Sequence, residues 1–70
     1  MATPRIFTAQ ALASGANIQL EAGPSHHLLK VLRMKPGADL RLFNGHGGSF
    51  AATLAGSRGQ CALVAVGEFA

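Results

Sequence analysis

Basic and aromatic residues are paired at the same spacing in two short segments of this 70-residue sequence. Arg41 and Phe43 are two positions apart, as are Arg5 and Phe7, and residues at this spacing share one face of a β-strand. A cation beside an aromatic ring can hold a phosphate and stack a nucleobase. The alternative is that these faces are simply solvated and that the rings pack under a helix or against a neighbouring domain. The arginines are therefore stronger binding candidates than the rings.

A third basic set falls at helical spacing. His26, Lys30 and Arg33 recur at i, i+4 and i+7, whereas the apolar residues of the same segment, at i, i+3 and i+4, are Leu28, Val31 and Leu32. The pattern predicts a short helix with an apolar stripe toward the core and a basic ridge toward solvent. His27 is expected either to hydrogen-bond local backbone groups or to reach a phosphate.

Catalytic and metal-binding patterns are weak. The three histidines include an adjacent pair, which diverges on a helix, so we expect no metal site. The glycine-rich stretch 45–48 is followed by Phe50 where a dinucleotide loop needs glycine, and Asn44-Gly45 is better explained as the chemistry of a tight turn. No Ser/His/acid set is present, and Cys61 is expected to be a buried packing residue. We therefore expect no active site and no cofactor within these residues.

The overall charge agrees with a polyanionic partner but does not require one. Six Lys and Arg residues face three Asp and Glu residues, giving a net charge of +3 and a pI near 10.0. Ordinary solubilising charge explains this value equally well. No apolar run approaches the roughly 20 residues of a membrane span, and no secretory signal is evident, so a cytoplasmic protein is expected.

The order of turns and alternating segments predicts β-β-α-β-β-β. Strands are expected at residues 5–7, 18–20, 39–43, 50–54 and 60–66, the last covered on both faces. Pro24 suits a first helical turn with Ser25 as a nearby cap, and Pro36-Gly37 ends the helix near Arg33 or Met34. A second hairpin turn is expected at residues 56–59. The fold class is thus mainly β with one short helix, a small curled sheet or barrel, as one domain over residues 1–70. Its apolar end is typical of a domain cut from a longer protein.

Three segments together resemble a known family: Pro4-Arg5-Ile6-Phe7, His27 followed by Val31-Leu32-Arg33-Met34 and Pro36-Gly37, and Leu42-Phe43-Asn44-Gly45. They resemble the N-terminal domain of the RsmE-type 16S ribosomal RNA methyltransferases. The resemblance implies a PUA-like β-barrel that helps to dock ribosomal RNA through Arg5, His27, Arg33 and the turn formed by Phe43, Asn44 and Gly45. His26 and the scarcity of acidic residues depart from the family pattern.

The resemblance also implies what lies outside these residues. In such enzymes a C-terminal SPOUT domain binds S-adenosylmethionine, methylates N3 of a uridine in 16S rRNA and forms the homodimer, and none of its catalytic residues maps to this sequence. We expect an RNA-docking domain in which Lys30 and Arg41 join the residues above. The rival interpretation is a module for domain or dimer contacts, with the Phe43 face as its docking surface and little RNA affinity of its own.

Overall fold

The computed structural model describes residues 3–69 and confirms the predicted order of elements. The strands are β1 (Arg5–Phe7), β2 (Asn17–Gln19), β3 (Asp39–Phe43), β4 (Phe50–Arg58) and β5 (Cys61–Phe69). One helical segment lies between β2 and β3. It consists of α1 (Ala22–His26), which continues directly into a π turn (His27–Val31).

The strands form one mixed sheet in the order β1-β3-β4-β5-β2. β1 pairs with β3 in parallel, and all other neighbours are antiparallel. Alternate residues of the strands point inward and form a mostly apolar core. Its buried residues are Ile6, Leu20, Leu28, Leu40, Leu42, Ala52, Leu54, Ala62, Val64 and Val66. The predicted fold class, mainly β with one short helix, is confirmed.

Side chains tie the two edges of the sheet together and give it a barrel-like closure. The buried Thr8, just after β1, donates its hydroxyl to the carboxylate of Glu21, just after β2, at 2.9 Å. The same carboxylate accepts the N–H of Ala9 at 2.9 Å, and the Gln10 side chain donates to the carbonyl of Gln19 at 2.8 Å. Burial raises the pKa of Glu21, but hydrogen bonds from its own backbone, from Ala9 and from the side chains of Thr8 and Gln10 outweigh this effect and lower the pKa.

The helical segment differs from the predicted regular helix. The N–H of Leu32 donates to the carbonyl of His27, five residues back, so the last turn is wider than an α-helical turn. The extra residue rotates the end of the segment relative to the core. Leu28 is buried as predicted, but Val31 is 59% exposed and Leu32 is 40% exposed. The predicted stripe is therefore wrong beyond its first residue, and Leu29 and Met34 pack against the core instead.

Two further local predictions are wrong. Ser25 does not cap the helix: the residue at the cap position is Glu21, and Ser25 lies inside α1, fully buried. The second hairpin turn does not begin at Gly56, because β4 continues to Arg58 and a register shift between Leu54 and Gly56 accommodates the glycine within the strand.

The prediction for the final strand and its cysteine is only partly correct. In β5 the residues Ala62, Val64 and Val66 are buried, and those between them are half-buried, so one face is fully covered and the other partly. Cys61 is also half-buried.

Candidate nucleic-acid interface

The parallel pairing of β1 and β3 assembles the two basic-aromatic pairs into one surface. In this register Arg5 lies beside Arg41 and Phe7 lies beside Phe43. The residues between them, Ile6 and Leu42, point into the core. We call the outward-facing surface formed by Arg5, Phe7, Arg41 and Phe43 the β1–β3 face.

Direct contacts hold the aromatic part of the β1–β3 face. The guanidinium carbon of Arg5 lies 5.2 Å from the centre of the Phe43 ring, a cation–π contact. Phe7 and Phe43 meet edge to face, with ring centres 5.5 Å apart and planes inclined by 67°. Phe43 is half-buried beneath these neighbours, whereas Phe7 is 51% exposed. Phe7 is therefore the more accessible of the two rings.

Arg41 is oriented by a residue that the sequence did not indicate. Its Nε–H donates to the hydroxyl oxygen of Ser49 at 2.9 Å. This bond fixes the plane of the guanidinium and does not use its two terminal nitrogens, the pair that makes bidentate contacts with phosphate. The antiparallel register of β3 and β4 pairs Leu42 with Phe50, which brings Ser49 opposite the end of β3. A hairpin register inferred from the sequence could have found this contact.

Asn44 and Gly45 shape the loop at the edge of this face. The side-chain amide of Asn44 donates to the carbonyl of Gln10 at 3.1 Å, and its oxygen accepts the N–H of His46 at 3.2 Å. Gly45 has φ +82°, and a Cβ added there would lie 4.0 Å from the Phe7 ring. Gly45 therefore has the positive φ expected in this turn. Asn44 does not, because Arg33 is the one non-glycine residue with positive φ within residues 3–69. Asn44 contributes through the hydrogen bonds of its side chain instead.

The remaining predicted residues form a second group on the helical segment. His27, Lys30 and Arg33 are all exposed. Of the predicted ridge of His26, Lys30 and Arg33, the first two line one groove, whereas Arg33 lies beyond the helical segment. His27 lies at the junction of α1 and the π turn, and Arg33 lies beyond the turn with φ +52°. Lys30 lines a groove of about 330 Å³ with His26, Leu29 and Gln60. The helix packs on β5, which β4 separates from β3, so the two groups occupy different elements.

The described residues offer no arrangement typical of a metal centre or a membrane span. Within residues 3–69, no three residues of the His, Cys, Asp or Glu type are grouped to hold a metal ion. In the same part of the chain no helix is long and apolar enough to cross a membrane.

Comparison with protein families identifies the domain. Residues 24–66, more than half of the chain, match the family model described as the RNA methyltransferase PUA domain. This chain belongs to that family. The resemblance predicted from the sequence is thereby confirmed at the level of the family.

Solved structures place the same PUA domain within larger proteins. It is similar to Lpg2936 of Legionella pneumophila, assigned as a methyltransferase and solved with SAM bound (TM-score 0.94, 27% identity, 100% of this chain and 29% of that one). It is also similar to ribosomal RNA small subunit methyltransferase E of Neisseria gonorrhoeae bound to S-adenosyl methionine (TM-score 0.88, 26% identity, 99% of this chain and 29% of that one). A third similar structure is that of a probable rRNA methyltransferase of Porphyromonas gingivalis (TM-score 0.80, 28% identity, 96% of this chain and 27% of that one).

All three of these proteins are much longer than this chain. The chain spans less than a third of each of the three structures. A comparison with curated proteins gave no match.

Proposed function

We propose that this PUA domain docks RNA for an rRNA methyltransferase, and that the β1–β3 face is its principal contact. The observation that carries the proposal is the placement of Arg5 and Arg41 side by side, next to an aromatic pair, on an exposed sheet surface. Two arginines on the same face of neighbouring strands attract a phosphate backbone, and nearby rings favour unpaired nucleotides. Membership of the RNA methyltransferase PUA family supports the same conclusion.

Within this proposal the predicted residues have two roles. Arg5 and Arg41 hold phosphates, Phe43 supports the face, and Asn44 and Gly45 shape its edge. His27, Lys30 and Arg33 supply a second basic contact from the helical segment, for a longer RNA that reaches both elements. No chemical step is assigned to these groups, because the β1–β3 face gathers cations and rings rather than a general base or a nucleophile.

For the whole protein we propose the activity that the resemblance implies: SAM-dependent methylation of N3 of a uridine in 16S rRNA, in the cytoplasm. Residues 1–70 would be the N-terminal docking domain. A C-terminal SPOUT domain would bind SAM, carry out the methylation and form the homodimer. The SAM-bound structures from Legionella and Neisseria, of which this chain spans 29%, support a separate cofactor-binding part.

The salt dependence of RNA binding tests the docking role. The probe is a fluorescein-labelled single-stranded fragment of small-subunit rRNA, titrated with the protein at several salt concentrations. Each phosphate contact on a single strand contributes about 0.7 to the slope of log K against log salt. Arg5→Ala and Arg41→Ala should each weaken binding and reduce the slope by about that amount. A slope near zero for the wild-type protein would refute the electrostatic proposal.

Two further variants separate charge from geometry. Arg58→Ala is the matched control, because Arg58 is exposed at the far end of β4 and outside the β1–β3 face, so its loss should change binding little. Arg41→Lys keeps the charge but loses the planar fork and the bond to Ser49. It should therefore retain the slope while affinity falls. Equal losses for Arg58→Ala and Arg41→Ala would indicate a diffuse charge effect without a defined site.

A second candidate function, a protein-docking module, is favoured by one observation. Val31 and Leu32 are 59% and 40% exposed at the end of the helical segment, an unusual position for two adjacent branched apolar residues. This patch fits a contact with another domain or subunit better than the Phe43 face does, since Phe43 is already covered by Arg5. Val31→Ser with Leu32→Ser should abolish binding to the catalytic part of the protein and spare RNA binding if this role is correct.

A further inference from the structure

Phe7 presents a ring surface that the fold itself does not use fully. Strand β1 is only three residues long and lies at the edge of the sheet, so no further strand formed by residues 3–69 pairs with its outer side. Phe7 is 51% exposed, and its contact with Phe43 is edge to face. Such a contact leaves a ring face open to a planar partner.

Phe43 is less suited to this role, because its surroundings already occupy it. The guanidinium of Arg5 covers the ring at 5.2 Å, and Phe7 packs against it as well. A base could stack on Phe43 only by displacing Arg5, which would sacrifice a cation–π contact and a phosphate ligand together. On this geometry Phe43 supports Phe7 and Arg5 and does not receive the base.

We propose that the β1–β3 face is a site for one unpaired nucleotide, whose base stacks on Phe7 while its adjacent phosphate is held by the Arg41 guanidinium that Ser49 orients. This inference rests on the proposed RNA-docking function and adds the form of the ligand, single-stranded RNA with an unstacked base. A base inside a duplex has both faces covered by its neighbours and cannot reach the ring. Ser49 is a positioning residue, since it acts through the Nε–H of Arg41.

The sequence itself supplies a spectroscopic test. The chain contains no tryptophan and no tyrosine, so Phe7→Trp would introduce a single fluorescent reporter at the proposed stacking position. Stacking of a base quenches indole fluorescence directly. Phe69→Trp is the matched control, because Phe69 is similarly exposed at 58% and packs edge to face on Phe50 instead of the β1–β3 face.

The experiment titrates both tryptophan variants and Phe7→Leu with a uridine dodecamer and with a blunt 12-base-pair RNA duplex. We expect the dodecamer to quench Phe7→Trp but not Phe69→Trp, and the duplex to quench neither. Phe7→Leu should bind the dodecamer about 5- to 150-fold more weakly, the range for loss of one base–aromatic stack, with an unchanged salt slope. Ser49→Ala should weaken binding in the wild-type background but not in Arg41→Ala.

The outcomes separate the two proposals. If the wild-type protein shows no salt-dependent binding to either RNA, the docking function fails and the stacking site fails with it. If the wild-type protein binds with an ionic slope but Phe7→Leu binds equally well, or if Phe69→Trp is the variant quenched, the stacking site alone is refuted. Preferential binding of the duplex would likewise overturn it. Circular dichroism of each variant establishes that the fold is retained.

Discussion

Replacing Ser25 with alanine would remove a single oxygen atom from the junction of the helix and the sheet. The Ser25 hydroxyl donates to the carbonyl of Leu20 at 3.2 Å and accepts the N–H of Ala62 at 2.8 Å. Ser25 and Ala62 are both fully buried, so solvent does not reach this N–H directly. Among the described residues, every buried side-chain nitrogen or oxygen atom has a hydrogen-bond partner. The substitution would therefore leave a buried backbone donor without its acceptor.

The size of the effect follows from that unpaired donor. Leaving a buried polar group unsatisfied costs about 1–3 kcal/mol. A domain of this length has a free energy of unfolding of roughly 4–10 kcal/mol, so a loss near 2 kcal/mol is a large fraction of the total. For domains of 60–100 residues each kcal/mol lowers Tm by about 4–8 °C. We expect Ser25→Ala to lower Tm by about 8–16 °C.

The assay compares thermal unfolding of the wild-type protein, Ser25→Ala and Ser57→Ala by circular dichroism. Ser57 is exposed near the end of β4, so its substitution should change Tm by no more than about 4 °C. Amide hydrogen exchange adds a local measurement, because the Ala62 N–H should lose protection in Ser25→Ala. A Tm within 2 °C of wild type together with a protected Ala62 amide would refute the reasoning.

Three further predictions concern single residues. Gly67→Ala should cost about 1–3 kcal/mol, because its Cβ would lie 3.0 Å from the carbonyl oxygen of Ala51; Gly56→Ala, with nothing within 4 Å, is the control in thermal unfolding. Glu21→Gln should lower Tm at pH 7, and its difference from the wild-type protein should shrink as the pH falls below 4.5. The pKa of Glu21 is lowered in the fold, so its carboxylate stabilises the protein above 4.5 and loses this effect as pH falls through the folded value. Arg33→Gly should raise the free energy of unfolding by about 0.5–1 kcal/mol, whereas Arg33→Ala, which keeps the strained φ of +52°, should unfold near the wild-type Tm and weaken RNA binding.

Strand alternation made most of the sheet predictable. In β3, Leu40 and Leu42 alternate with polar or aromatic residues, and in the structure both leucines are fully buried while the residues between them face outward. Such a pattern is local, so it predicts a strand and its buried face whatever the order of the strands in the sheet. The extent of β4 was not predictable in this way. In the sequence Gly56 indicates a turn, whereas in the structure β4 continues through it with a register shift, because β4 pairs with β5 on both sides of the glycine.

The site was predictable residue by residue but not as an assembly. Each basic-aromatic pair could be placed on one face of its strand from spacing alone. That Arg5 stands beside Arg41 depends on the parallel pairing of two strands that are more than 30 residues apart in the sequence. The role of Ser25 was hidden for the same reason, since its partner Ala62 is 37 residues away. Contacts of this kind are set by the tertiary fold, so the periodicity of the sequence does not reveal them.

The π turn changes which part of the protein should dominate RNA binding. A regular α-helix would have placed His26, Lys30 and Arg33 on one ridge and buried both Val31 and Leu32. Because the last turn is one residue wider, Arg33 leaves the helix in a left-handed conformation and the apolar pair becomes exposed. Arg33 is thus separated from His26 and Lys30, whereas Arg5 and Arg41 lie on neighbouring strands and are oriented by Phe43 and Ser49. A phosphate backbone gains more from two arginines that are held by neighbouring groups on one face than from basic side chains that are separated, so removing Arg5 and Arg41 should weaken binding more than removing Lys30 and Arg33.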